Sequence, residues 1–205
     1  DGARAADIVA EARQQLLAYP TVEWRDAAVV SAAGSADAFE VTDNGGATAK
    51  GRRLLLALGV RDELPAIPGL AERWGKTVFH CPYCHGYEIE GPIGVLNTFD
   101  NSIHQALMLP DWGATTFLLN GKTPSADELG KLAARGAAVE PAVITAITGN
   151  ADVLLADGRT LPFAGLFTAS RMRPSSDIAT MLGCTMEAAP TGPVHCHLRC
   201  RSTVH

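Results

Sequence analysis

The sequence predicts an α/β protein. Short apolar runs of strand length alternate with segments of helical periodicity, Gly, Pro, Asn and Asp separate them, and a Cys-x-x-Cys pair stands where one short helix should start. The 205 residues suit one large domain or two small ones. Hydrophobic residues make up 47% and charged residues 19%, enough apolar material for a packed core and too little charge for global disorder. The net charge of −5 argues against a nucleic-acid surface. No apolar run approaches the roughly 18–20 residues of a membrane helix. Residues 1–15 lack the basic and apolar regions of a secretory leader, so a soluble, cytoplasmic protein is expected.

The elements follow in order. Residues 6–18 place Ile8, Val9, Ala12, Leu16 and Leu17 at helical spacing, and Pro20 ends that helix. Residues 21–23 and 27–32 are apolar enough for strands. Residues 39–42 form another, turning at Asp43-Asn44-Gly45-Gly46. Leu54-Leu55-Leu56-Ala57-Leu58-Gly59 reads as a strand buried on both faces. Residues 61–76, with two prolines and two glycines, read as a crossing linker and domain boundary. Beyond the cysteine pair, strands are expected at 93–96, 115–119, 139–147, 153–155 and 161–169. Helices are expected at 102–109, stopped before Pro110, and at 125–135, with Ser125 as N-cap and Gly136 at the end. Residues 189–205 lack periodicity and are expected to be poorly ordered.

The five cysteines are Cys81, Cys84, Cys184, Cys196 and Cys200. An odd number in a chain of this length argues against a secreted disulfide framework. The strongest chemical signal is His80-Cys81-Pro82-Tyr83-Cys84-His85-Gly86. A first helical turn brings two cysteines three apart into bonding range and favours the thiolate of the first. Pro82 suits that turn, because its missing N–H would be unpaired there anyway. Flanking histidines can pass protons to and from thiolates. Two alternatives stay open: a pair of buried cysteines without chemistry, and a zinc site completed by Cys196, His197 and Cys200, whose distance in sequence is wrong for a finger or ribbon.

No Gly-x-Gly-x-x-Gly loop follows a strand. The turn after 93–96 reads Asn97-Thr98-Phe99-Asp100-Asn101-Ser102, where Phe99 and Asp100 oppose a pyrophosphate and Asp100 is expected to cap the next helix. Arg171 and Arg173 read as a basic loop ahead of a second cap, with solvated arginines favoured over a phosphate site. His104 reads as an ordinary surface or core histidine, and Cys184 as a buried thiol.

Residues 77–88 resemble the redox-active segment of thioredoxin reductase-like flavoproteins, the two-domain pyridine nucleotide-disulfide oxidoreductases. The resemblance runs from about residue 7 to about residue 193. The Cys-Pro-Tyr-Cys-His-Gly motif and the stretches 93–113 and 161–192 are similar to a bacterial branch near the dithiol oxidases of the gliotoxin and holomycin type. The resemblance implies two Rossmann-like domains binding FAD and NADPH: a partial FAD domain over 1–66, a central cysteine-bearing, NAD(P)-binding-like domain over 67–168, and a remnant of the closing FAD segment over 169–205. It implies that Cys81 exchanges with a dithiol or disulfide partner, thioredoxin or a small molecule, in a homodimer. Cys84 would face the flavin, and His85 would be the acid–base group where ordinary thioredoxin reductases carry an acid. Ala57, Leu58 and Gly59 would lie against FAD.

Several departures accompany it. The family's opening Gly-rich flavin element would precede residue 1, and its closing Gly-Asp element would follow about residue 200, where 195–205 match nothing in the family. A chain truncated at both ends, or frameshifted at the second, would carry these features. Asn97-Thr98-Phe99 stands in place of the NADPH glycine triad, and 118–120 hold no base for a 2′-phosphate. These departures weigh against a complete FAD site and more strongly against an NADPH site. A flavin-free remnant that binds a partner, or nothing, is the alternative to an enzyme.

Overall fold

Pro20 closes the first helix as the sequence predicts, and α1 spans Ala5–Leu17. The computed structural model describes residues 5–184, which divide into two units, one of 5–57 with 176–184, the other Leu58–Ser175. In the first unit, β1 (Val29–Ala33), β2 (Phe39–Asp43) and β3 (Thr48–Gly51) form an antiparallel meander. Phe39 faces Gly51 and Thr42 faces Thr48. The predicted turn is tied by Asp43, whose carboxylate accepts the N–H groups of Gly45 and Ala47, both at 2.9 Å. Residues 21–23 form no strand: a turn bond from the Val22 N–H to the Tyr19 carbonyl takes the chain out of α1 instead.

The run 54–58 is not a buried strand. Leu55 is 90% exposed and residues 53–59 make no ladder. A leucine run becomes a buried strand only where neighbouring strands take up its backbone groups and a layer covers each face. Among the described residues no strand pairs with it.

The second unit is built on a five-stranded parallel sheet. After β4 (Val60–Glu63) come β5 (Val78–Phe79) and the short helix α2 (Pro82–His85), then β6 (Ile93–Leu96), α3 (Ser102–Met108), β7 (Thr115–Leu118), α4 (Ala126–Ala134) and β8 (Ala138–Glu140). A meander follows: β9 (Ile144–Thr148), β10 (Asp152–Leu155) and β11 (Thr160–Leu161). The chain then enters β12 (Gly165–Thr168) and β13 (Arg171–Pro174). The sheet order is β5-β12-β6-β7-β8, and β13 pairs antiparallel with β4. The last element, α5 (Ile178–Met181), belongs to the first unit and packs on β1.

Every residue of β6 and β12 is buried, as both faces of a parallel sheet require. On one face Leu96, Leu118 and Leu166 pack with Ile147, Val153 and Leu155 of the meander. On the other, Val95, Phe117 and Phe167 pack with Ala106 and Leu109 from the α3 side and Leu132 of α4. Ser125 caps α4 in a capping box: its hydroxyl accepts the Glu128 N–H while the Glu128 carboxylate accepts the Ser125 N–H at 2.7 Å. The strand predicted over 139–147 is two strands. Pro141, which has no N–H to offer a ladder, falls between them. Likewise 161–169 divides into β11 and β12. None of the helices is long and apolar enough to cross a membrane among the described residues.

Candidate active site

Parallel strand β5 delivers the chain to the cysteine pair at the edge of the sheet. Cys81 is the N-cap of α2, extended at φ −99° and ψ 112°, and buried Pro82 occupies the first helical position. The N–H groups of Cys84 and His85 both donate to the Cys81 carbonyl, at 3.2 and 3.3 Å. This turn folds the second thiol back over the first. The Cys84 Sγ donates to the Cys81 Sγ at 2.6 Å. Cys84 is exposed and Cys81 half-buried. The bond to Cys81 is the first cause that pushes the Cys84 thiol up from its ordinary value, with burial and the neighbouring sulfur's charge adding to it. Within the pair Cys84 is thus the donor and Cys81 the acceptor.

His85 closes α2. Its ring stacks on Phe79 with centroids 4.4 Å apart and planes 24° apart, and its Nδ1 lies 2.9 Å from the Glu88 carboxylate. The Tyr87 hydroxyl donates to the other Glu88 oxygen at 3.3 Å. The His85 contact is the first cause that holds the Glu88 carboxyl below the usual range. Beneath the loop, a Cβ on Gly86 would come within 2.9 Å of the Trp112 ring, so only glycine lets the two approach. Trp112 also meets Tyr83, edge to face, at 5.5 Å. From α3, Gln105 donates to the His80 carbonyl at 2.6 Å, while its own Oε1 is buried without a partner.

The turn after β6 lies at the end of the same sheet. Its amides do not point to open solvent. Buried Ser102 accepts the N–H groups of both Thr98 and Phe99, at 3.2 and 3.1 Å. Lys122 donates to the Thr98 carbonyl at 3.1 Å, and the Arg171 guanidinium sits 5.4 Å from the centroid of the Phe99 ring. Asp100 does not cap α3. The N-cap residue is Asn101, and no side chain caps it. Ser102, one position further on, makes the side-chain bonds instead.

Over 192 residues the chain is 31% identical to the thioredoxin reductase sirT of Leptosphaeria maculans, covering 82% of this chain and 58% of that one. The crystal structure of an oxidoreductase from Agrobacterium tumefaciens matches at a TM-score of 0.88 with 52% identity, over 93% of this chain and 65% of that one. The chain is thioredoxin reductase-like. HlmI matches its fold at a TM-score of 0.82 and 32% identity, over 95% of this chain and 63% of that one. No family model matches. The thioredoxin reductase-like chain thus spans less than two thirds of each of these relatives, and its fold is the Rossmann-type α/β fold they share.

In this thioredoxin reductase-like chain, Ala57, Leu58 and Gly59 form an open stretch leading into β4. Gly59 turns at φ +67° with nothing within 4 Å of where a Cβ would stand, and the Leu58 carbonyl accepts from the Ser175 hydroxyl. Arg171 and Arg173 are not a phosphate loop. They belong to β13, and Arg173 pairs with Glu63 at 2.5 Å. His104 is exposed, and Cys184 is buried. The candidate zinc ligands Cys196, His197 and Cys200, with the aberrant tail, lie outside the described residues, among which no cluster of three His, Cys, Asp or Glu could hold a metal.

Phe79, Glu88, Gln105 and Trp112 escape sequence reasoning as site residues. Glu88 had a readable signal, three residues after His85. Gln105 had none, since its partner is 25 residues away.

Proposed function

We propose that this chain is the dithiol-bearing part of a flavin-dependent thiol–disulfide oxidoreductase. One observation carries the reading: the Cys81 and Cys84 sulfurs lie 2.6 Å apart on the first turn of α2, with a histidine closing that turn. Cys81 attacks a disulfide partner, or accepts a substrate thiolate once the pair is oxidised. In the first case Cys84 resolves the mixed disulfide and leaves the pair oxidised; in the second the substrate's other thiol displaces the Cys81 sulfur, which leaves the substrate as a disulfide and the pair reduced. His85 takes the proton from the attacking thiol and returns it to the leaving one. The partner is a dithiol or disulfide, a protein such as thioredoxin or a small molecule, and the assembly is a homodimer.

The open backbone of Ala57, Leu58 and Gly59, with room where a side chain would stand at Gly59, fits one edge of an FAD site. FAD would supply the two-electron acceptor that the dithiol needs. The turn 97–102 does not fit a dinucleotide. A pyrophosphate at such a turn needs outward-facing N–H groups, and here Ser102 takes two of them. No NADPH step is therefore derived, and electrons are proposed to run from a substrate dithiol toward flavin and an oxidant such as dioxygen. The supporting experiment traps the exchange step. Cys84→Ser should accumulate a mixed disulfide at Cys81 with a small disulfide such as oxidised glutathione, and Cys81→Ser should accumulate far less. Equal trapping, or trapping only at Cys84, would overturn the assignment of roles.

A further inference from the structure

We propose that Glu88 is a positioning residue whose carboxylate fixes His85 in its Nδ1–H tautomer, leaving Nε2 as the nitrogen that takes and returns the thiol proton. This rests on the reading of His85 as the acid–base group. A carboxylate only accepts hydrogen bonds, so a neutral imidazole 2.9 Å from it must place its proton on Nδ1. Three features hold the arrangement. The turn Gly86–Glu88 brings the carboxylate back beside the ring. Tyr87 occupies its second oxygen, so rotation away would sacrifice two bonds. Phe79, itself 5.9 Å from Phe167 of the sheet core, covers one face of the imidazole and limits tilt. Hydrogen-bonded supports of this kind set which ring nitrogen of a working histidine is available.

The test uses the reduced chain with isotope-labelled histidine and nitrogen NMR, above the pH at which imidazole protonates, with the His85 signals identified by their loss in His85→Gln. The same samples are reacted with the chromogenic disulfide dithionitrobenzoate. The Cys81 thiolate displaces one aromatic thiolate, and Cys84 displaces the second. The pair is thereby oxidised by two electrons, the probe is reduced, and two thiol protons leave. The unsubstituted chain should show the Nδ1–H form. Glu88→Ala should move His85 to the Nε2–H form that an unsupported histidine side chain prefers and slow the exchange roughly tenfold, part of the full general acid–base effect of about 100-fold or more. Glu88→Gln, whose amide oxygen still accepts from Nδ1, should keep the tautomer and stay within about threefold of the original rate. An Nε2–H form in the unsubstituted chain, an unmoved tautomer in Glu88→Ala, or a moved tautomer with an unchanged rate would each overturn the role of Glu88. An unchanged exchange rate in His85→Gln would instead overturn the acid–base reading of His85, whatever the tautomer shows.

Discussion

The Ser102 hydroxyl accepts the backbone N–H groups of both Thr98 and Phe99, at 3.2 and 3.1 Å. It closes from within the turn that other Rossmann-type domains leave open for a phosphate. Removing it should leave the part-buried Phe99 N–H without its partner and the Thr98 N–H with the Leu96 carbonyl alone. Ser102→Ala should destabilise the protein by about 1–3 kcal/mol in chemical denaturation. It should confer no NADPH binding by itself, since Phe99 and Arg171 still cover the turn.

Gln105 ties α3 to the cysteine loop through the His80 carbonyl. Gln105→Leu removes that bond but also removes a buried oxygen that has no partner. The two effects oppose each other, so net stability should change by no more than about 1 kcal/mol. The loop itself should loosen. Hydrogen exchange over residues 80–85 and the alkylation rate of Cys81 should both rise, and unchanged values would show that the tether does not hold the dithiol in place.

Gly86 stands where a Cβ would press on the Trp112 ring at 2.9 Å. Gly86→Ala should push Trp112 off the loop at about 1–3 kcal/mol, the usual range for overpacking. A shifted tryptophan emission and a changed Cys81 reactivity should accompany it.

Glu140 is forked by Arg159 at 2.8 and 2.9 Å and also accepts the Ala142 N–H. The Arg159 bonds, then the Ala142 bond, hold its carboxyl below the ordinary value of 4.5. The sign follows from that depression. The contribution of Glu140 is complete above the unfolded value and is lost as pH falls through the lower folded one. Acid titration of stability should therefore show a loss beginning below about pH 4.5 that Glu140→Gln reduces. An identical acid limb in Glu140→Gln would refute the assignment.

Much of the second unit was legible because local signals agree with the tertiary structure there. The buried strands at 93–96 and 115–118 are bounded by turn residues, and Ser125 with Glu128 announces α4 at its own N-terminus. The geometry of the cysteine turn was legible for the same reason, since Cys81, Pro82, Cys84 and His85 lie within one turn. The misreadings share another cause. Leu54–58 carries strand composition, but a strand is made by its neighbours. Whether Asp100 or Ser102 ties the 97–102 turn depends on which side chain the backbone aims inward. Gln105 on His80 and Arg159 on Glu140 join residues 25 and 19 apart that no local pattern links.

The central claim is that Cys81 and Cys84 form a redox couple that delivers electrons from a dithiol to flavin, with no dependence on NADPH. The most direct measurement is the anaerobic visible spectrum of the chain mixed with FAD, on adding dithiothreitol or NADPH. The flavin band should bleach rapidly with dithiothreitol, not with NADPH, and the bleaching should fall to the rate of FAD alone in Cys84→Ser. Bleaching by NADPH, or bleaching by dithiothreitol no faster than with FAD alone, would contradict the account.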